Sequence, residues 1–447
     1  MSALPGKRAI IIGAGLAGLS AAQALAGHMD EVIVLERDRL PQDASSRLGV
    51  PQGRHLHVLI SGGLDALRNL FPGIETDLAA AGGIGFDPGM DLINEMPGLD
   101  PLPRRPLGLR SYAMSRPLLE LVLRRRVEQN GNVTLRDGCR VIEIIGAADG
   151  SAVGGVSYET GASTALTLAA DIVVDASGRG AFSLDFLKAT GREPPQVTAV
   201  GVDLTYSTAI YSFSEEDMPE FIGVATFAKE GDKFSGGIVR RENNLWTAIL
   251  AGRGRLTPTQ GEAFLAAAIE LETPSLYNVI KKGIRIGDIA RYGVAESVWR
   301  HFGLLPRLPH GLVPIGDAIC RFNPIYGQGM TVAAQEAVIL RDLLSRIAEQ
   351  AVPLENLSGA FLAEAERHLE GPWLMSVIPD LAYPQTRGER PTDLESTVKY
   401  QQMLHRLAAR DPAIHKLLME VRHLVKPAYL LREPELVARV QAEMEAA

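Results

Sequence analysis

Two stretches of this sequence remove side chains where the backbone would have to approach something closely. In "RAIIIGAGLAGLSAAQALAG" the residues Gly13, Gly15 and Gly18 fall in a G-x-G-x-x-G spacing. In "GDAICRFNPIYGQGM", residues 316–330, Asp317 follows an apolar run, and Pro324 precedes Gly327 and Gly329 around Gln328. Glycine permits close approach, and a helix start presents unpaired N–H groups at the positive end of its dipole. Both stretches therefore suit an electron-rich partner.

The elements that would position the first set are readable nearby. "RAIIIGAG" is an unbroken apolar run ending on glycine, the pattern of a buried parallel strand. "LAGLSAAQALAG" has helical character, and "EVIVLE" is a second strand closing on Glu36. Together they form a βαβ unit. Gly13 permits the tight turn, Gly15 admits a pyrophosphate, Gly18 lets helix and strand pack, and Glu36 accepts from a ribose. This predicts a dinucleotide site. A nicotinamide dehydrogenase needs no second glycine-marked helix start so far down the chain. FAD is longer and must be held at both ends. Asp317 suits its ribityl hydroxyls, and the helix start at Gly329 and Met330 suits negative charge on the reduced ring.

Composition narrows the remaining classes. The chain has 447 residues, 46% of them hydrophobic, and a net charge of −8. Its longest basic run is Arg124–Arg126, so nucleic acid is not an expected partner. Cys139 and Cys320 form no CxxC pair, which excludes a disulfide framework or a disulfide reductase and points to a reducing cytoplasm. There is no GxSxG nucleophile elbow, so acyl transfer has no support. His55 and His57 lack a third ligand at useful spacing, and no metal is expected. They pack structurally or point toward the flavin or substrate. The basic, apolar N-terminus mimics a secretory signal or membrane span, but its three glycines and the following strand argue against both.

Four segments carry a resemblance: "IIGAGLAGLSAAQALA…VIVLERD", "RLGVPQGRHLHVLISGG", "DIVVDASGRGAFSLDFL" and "GDAICRFNPIYGQGMTVAAQEA". With them the chain resembles the FAD-dependent monooxygenases of the para-hydroxybenzoate-hydroxylase fold. Within these it is similar to the branch holding squalene epoxidase and bacterial polyether epoxidases. The likeness covers roughly residues 1–190 and 300–350; the rest matches only loosely. It implies an α/β fold with a Rossmann-type, glutathione-reductase-like FAD-binding domain, an inserted antiparallel-sheet substrate domain and a C-terminal helical region. The FAD domain is expected to be discontinuous, from 1–80, 105–190 and 295–350, with the substrate sheet at 191–294 and the helical region at 351–447. Between 80 and 105 the sequence is loop-like and rich in Gly and Pro.

The cofactor contacts expected are Gly13, Ala14, Gly15, Leu16, Ala17, Gly18, Glu36, Arg37, Arg47, Arg54, Arg116, Arg124 and Val141. The late segment adds Gly316, Asp317, Pro324, Gly327, Gln328, Gly329 and Met330. Arg116 and Arg124 belong to a helix capped by Ser115 with Pro117 in its first turn. The resemblance places arginines of this helix near the FAD pyrophosphate or ribose. His55, His57, Arg321 and Tyr326 are the side chains expected near the reaction. Arg321 stands where the family pattern leads one to expect a small residue, which would alter the flavin's edge or the substrate path.

The implied activity is monooxygenation. NAD(P)H reduces FAD, dioxygen forms a flavin hydroperoxide, and one oxygen passes to a hydrophobic substrate, an alkene or a ring. Two other readings stay open: a flavin-dependent reductase or desaturase of a prenyl chain, and a non-catalytic prenyl- or lipid-binding protein such as the GDP-dissociation inhibitors. The tryptophan-rich WxWxIP signature of flavin halogenases is absent. The C-terminal helices, broken by Pro427 and Pro434, are expected to cap the core; the resemblance to squalene epoxidase adds peripheral membrane contact as a second reading.

Overall fold

The computed structural model describes residues 4–99, 101–180, 182–229, 231–350 and 354–446. Of the segments expected above, residues 1–3, 100, 181, 230, 351–353 and 447 lie outside the described residues. The first strand, Leu4–Ile12, lies at the centre of a five-stranded parallel sheet. The strand order is Leu312–Pro314, Ile172–Asp175, Leu4–Ile12, Met29–Leu35, Val133–Arg136. Ile11 pairs with Val174 on one side and Val34 on the other. Ala9, Ile10 and Ile11 have no exposed surface, as a parallel strand covered on both faces requires.

A seven-stranded sheet stands beside it, with Val197–Ser212 and Ile284–Arg300 as its longest pair. Trp246–Arg253, Ser235–Arg240 and Gly223–Thr226 extend it on one side, and Cys320–Arg321 closes the other. Its far edge is Leu92–Glu95, parallel to Gly223–Thr226. The stretch read as loop therefore contributes a strand to the seven-stranded sheet, and Ile84–Phe86 forms another small strand. Trp246, Phe264 and Leu276 form a second core against the large sheet.

From Leu357 onward the described chain is helical, as expected. A helix over Leu357–Leu381 is followed by Leu394–Arg410, Pro412–Arg422 and Pro434–Ala446. Pro434 opens the last helix, where a missing N–H costs nothing. No described helix is long and apolar enough to cross a membrane. The helix Gly329–Gln350 packs on the first helix, Leu16–Ala26, which brings the late glycine segment to the early one.

Candidate functional site

The fingerprint glycines divide into two kinds. Gly13 has φ 102°, and a Cβ there would lie 2.7 Å from the Ala176 carbonyl oxygen; one on Gly18 would lie 1.9 Å from the Gly13 oxygen. These two close the strand–turn–helix corner. Gly15 is different. The nearest atoms to a Cβ there are Arg116 Nη2 and Glu120 Oε1, both 3.9 Å away. Gly15 is also the N-cap of the first helix, and no side chain caps that end. The unpaired N–H groups of the first turn thus open onto a space bordered by a guanidinium.

Glu36 is buried at the end of the second strand. Its Oε2 accepts from the Ala14 N–H at 2.9 Å, and its Oε1 accepts from the Asp38 N–H at 3.0 Å. Arg47 Nη1 lies 2.7 Å from Glu36, and Nη2 lies 3.2 Å from Glu120 and donates to the Ala14 oxygen at 3.1 Å. Arg116 Nε donates to the other oxygen of Glu120 at 2.7 Å. Burial alone would raise the Glu120 carboxyl, but the Arg116 and Arg47 guanidiniums more than offset it and hold it below the usual range. Val141 is buried on Cys139–Gly146, whose first N–H donates to the Glu36 carbonyl.

The late segment meets this corner directly. A Cβ on Gly316 would lie 3.1 Å from the Ala17 Cβ. The Gly316 N–H donates to Glu336 Oε2 at 2.6 Å. Burial raises the Asp317 carboxyl, opposed by Arg321, Arg116, Arg179 and Arg300. Among the described residues, the Asp317 carboxylate has no hydrogen-bond partner. Pro324–Tyr326 forms one tight turn, Gly327 follows at φ 69°, and the long helix starts at Gly329. No atom lies within 4 Å of a Cβ built on Gly327 or Gly329. Among the described residues, the buried Gln328 Oε1 and Thr331 Oγ1 have no hydrogen-bond partner.

Several expected side chains have protein partners of their own or face solvent. Arg124 donates to the Pro41 carbonyl, and Arg37 is exposed. Tyr326 donates its hydroxyl to Asp380 at 2.8 Å, so it is committed to a buried acid. Arg321 turns to the sheet and lies 3.5 Å from Glu296 Oε1. Arg54 lines a cavity of about 500 Å³. That cavity lies between residues 44–57, the start of the helix Arg116–Val127, and the large sheet.

His55 and His57 also line the cavity. His55 Nδ1 lies 2.7 Å from Thr208 Oγ1, and its ring meets Tyr206 edge-on at 4.8 Å. His57 Nδ1 lies 3.0 Å from the His55 carbonyl oxygen. Burial, reinforced by Arg54, lowers His55 to about 4; burial and Arg116 lower His57 to about 4. Both rings are therefore neutral near pH 7. No metal-binding cluster of His, Cys, Asp or Glu occurs among the described residues.

Sequence reasoning missed Glu120, Asp380 and Glu336. Glu120 had a usable signal: it stands four residues after Arg116 on one helix face, among leucines and valines. Asp380 had none, because Arg253, Asn323 and Tyr326 reach it from distant segments.

Known proteins share the fold and the FAD-dependent family. Residues 8–69 match the family model described as "DAO: FAD dependent oxidoreductase". Protein Rv3254 of Mycobacterium tuberculosis is 30% identical over 402 residues, covering 86% of this chain and 82% of the relative. The flavin-dependent brominase Bmp2 superposes with a TM-score of 0.68 at 18% identity over 98% of each chain. PqsL, a probable FAD-dependent monooxygenase from Pseudomonas aeruginosa, gives 0.64 at 16% identity, over 85% of this chain and 97% of its own. At such identities these structures share the fold.

Proposed function

Because this chain belongs to the same family as Protein Rv3254 and is an FAD-dependent oxidoreductase of the para-hydroxybenzoate-hydroxylase fold, we propose that it is a monooxygenase. Its substrate is a largely apolar small molecule, an alkene to be epoxidised or a ring to be hydroxylated, with NAD(P)H and dioxygen as co-substrates. The residues present fit FAD. The uncapped helix start at Gly15 and the guanidiniums of Arg47 and Arg116 suit its pyrophosphate, and Glu36 suits the ribose. The Asp317 carboxylate, which has no hydrogen-bond partner among the described residues, suits the ribityl hydroxyls. Gly327, Gly329 and the orphaned Gln328 Oε1 leave a cradle that a planar ring with polar edges would fill.

Bound FAD would supply two-electron redox chemistry and activation of dioxygen. The chain's own work is positional. The helix start at Gly329 stabilises negative charge beside it. The neutral rings of His55 and His57 form a wall that can donate or accept single hydrogen bonds without adding charge. The sheet strands Val197–Ser212 and Ile284–Arg300 present Ile210, Ile286 and Ile289 to the cavity and keep water from a bound substrate.

The observation that carries this reading is the 500 Å³ cavity between residues 44–57 and the antiparallel sheet, a place for substrate distinct from the two glycine-marked helix starts. The test is aerobic turnover of FAD-loaded protein with NADPH and a series of alkenes and phenols. Oxygenated product that incorporates labelled dioxygen supports the proposal. Turnover that proceeds equally without dioxygen would instead identify a reductase, and a protein that takes up no FAD would exclude both.

A further inference from the structure

The cavity wall carries more positive than negative charge. Arg54, Arg240 and Arg241 line it, against a single lining carboxylate, Asp288, which is exposed. Arg241 is neutralised by Glu242 at 2.7 Å. Arg240 is not: Nη2 donates to the neutral Asn244 amide oxygen at 2.7 Å, and its buried Nε has no partner among the described residues. Arg54 has no hydrogen-bond or ion-pair partner among the described residues. The two lining histidines are neutral and contribute no compensating charge.

Arg54 is exposed and Arg240 half-buried at the cavity wall, and with no acid paired to either among the described residues, both guanidiniums are open to an anion that enters the cavity. The cofactor does not need them. The corner suited to its pyrophosphate has its own cations in Arg47 and Arg116, which meet at Glu120. Arg240 comes from the sheet strand Ser235–Arg240, remote in sequence from the glycine fingerprint.

On the reading that this cavity holds the substrate, we propose that the substrate carries a carboxylate or equivalent oxyanion, paired with Arg54 and Arg240 while its apolar body lies against Ile210, Ile286 and Ile289. A guanidinium offers parallel N–H donors that match both oxygens of such a group. The anion orients the molecule: with one end fixed at the arginines, only a limited part of the apolar body faces the cofactor. Arg54 is thereby a substrate residue, not a cofactor one.

The experiment uses FAD-loaded protein and two probes of nearly equal size, 2-naphthoate and methyl 2-naphthoate, with binding measured by equilibrium dialysis. The acid is expected to bind about ten-fold or more tightly than the ester. In Arg54→Gln and Arg240→Gln that preference should shrink to about two-fold, while Arg140→Gln, an exposed arginine paired with Glu159, should keep it. Equal affinities in the unaltered protein, a preference that survives both substitutions, or no binding of either probe would overturn the proposal. Loss of FAD from Arg54→Gln with the acid preference intact would return Arg54 to the cofactor and overturn its assignment. The flavin spectrum, recorded on the same samples, reports separately whether the flavoprotein reading stands.

Discussion

Asn323 Nδ2 lies 3.0 Å from both carboxylate oxygens of Asp380, so an acid in the C-terminal helical region holds the turn that leads into Gly327 and Gly329. The same carboxylate accepts from Tyr326 at 2.8 Å and pairs with Arg253 of the seven-stranded sheet at 2.6 Å. Asp380 has no exposed surface. Removing it strands the Arg253 cation and two polar side chains in the interior. Asp380→Ala should therefore destabilise the protein by about 3–5 kcal/mol, read from urea unfolding. Tyr326→Phe, which removes one hydrogen bond, should cost about 1 kcal/mol and leave FAD uptake intact. A large loss of FAD from Tyr326→Phe would show that the hydroxyl faces the cofactor after all.

The glycines offer a sharper separation of folding from binding. A methyl on Gly18 collides with the Gly13 carbonyl at 1.9 Å, so Gly18→Ala should unfold or strongly destabilise the nucleotide corner. Around Gly15 and Gly329 there is room for a methyl within the protein. Gly15→Ala and Gly329→Ala should keep a melting temperature close to that of the unaltered apoprotein, yet bind FAD about ten-fold or more weakly. Equal FAD affinity in both would mean that the cofactor does not approach these positions.

The first forty residues were legible because their signals are local: an apolar strand, glycines at fixed spacing, and an acid closing the next strand. The late segment was legible for the same reason. The strand Leu92–Glu95 was not, since it is four residues long, half-buried and flanked by glycine and proline, and its partner Gly223–Thr226 lies far along the chain. The redirected side chains follow one physical rule. Arg321 and Tyr326 sit next to the site in sequence, but buried polar groups go to whichever charge is nearest in space, and those charges, Glu296 and Asp380, come from other segments.

Glu120 makes a prediction about charge in the nucleotide corner. It lies between Arg47 and Arg116, both nearly buried. Glu120→Gln would leave these guanidiniums mutually repelling, with Glu36 and Asp38 neutralising Arg47 alone. The apoprotein should lose about 3 kcal/mol. FAD brings two negative phosphates to the same arginines, so it should raise the melting temperature of Glu120→Gln by more than that of the unaltered protein. An equal or smaller rise would place the pyrophosphate elsewhere.

The pH dependence of stability has two arms with different owners. Burial, helped by neighbouring arginines, lowers His55, His57 and His423 to about 4. Between about pH 4 and 6.5 the unfolded chain binds protons that these folded imidazoles do not. Stability must therefore rise with pH across that window, by up to about 3 kcal/mol per histidine. Glu336 works in the opposite direction. Burial raises it to about 8, with the Gly316 N–H opposing and Asp317 adding to the rise. From about pH 4.5 to 8 the folded state holds a proton there that the unfolded state has released, so this group's contribution falls as pH increases. Below pH 6.5 the three histidines outweigh it; above, it acts without them. Stability should peak near pH 6.5 and decline toward pH 8. Glu336→Gln keeps an oxygen for the Gly316 N–H but cannot ionise, and should flatten the decline while leaving the acid arm unchanged. Urea unfolding from pH 5 to 8.5 measures both arms, and an unaltered decline in the glutamine variant would clear Glu336 of the effect.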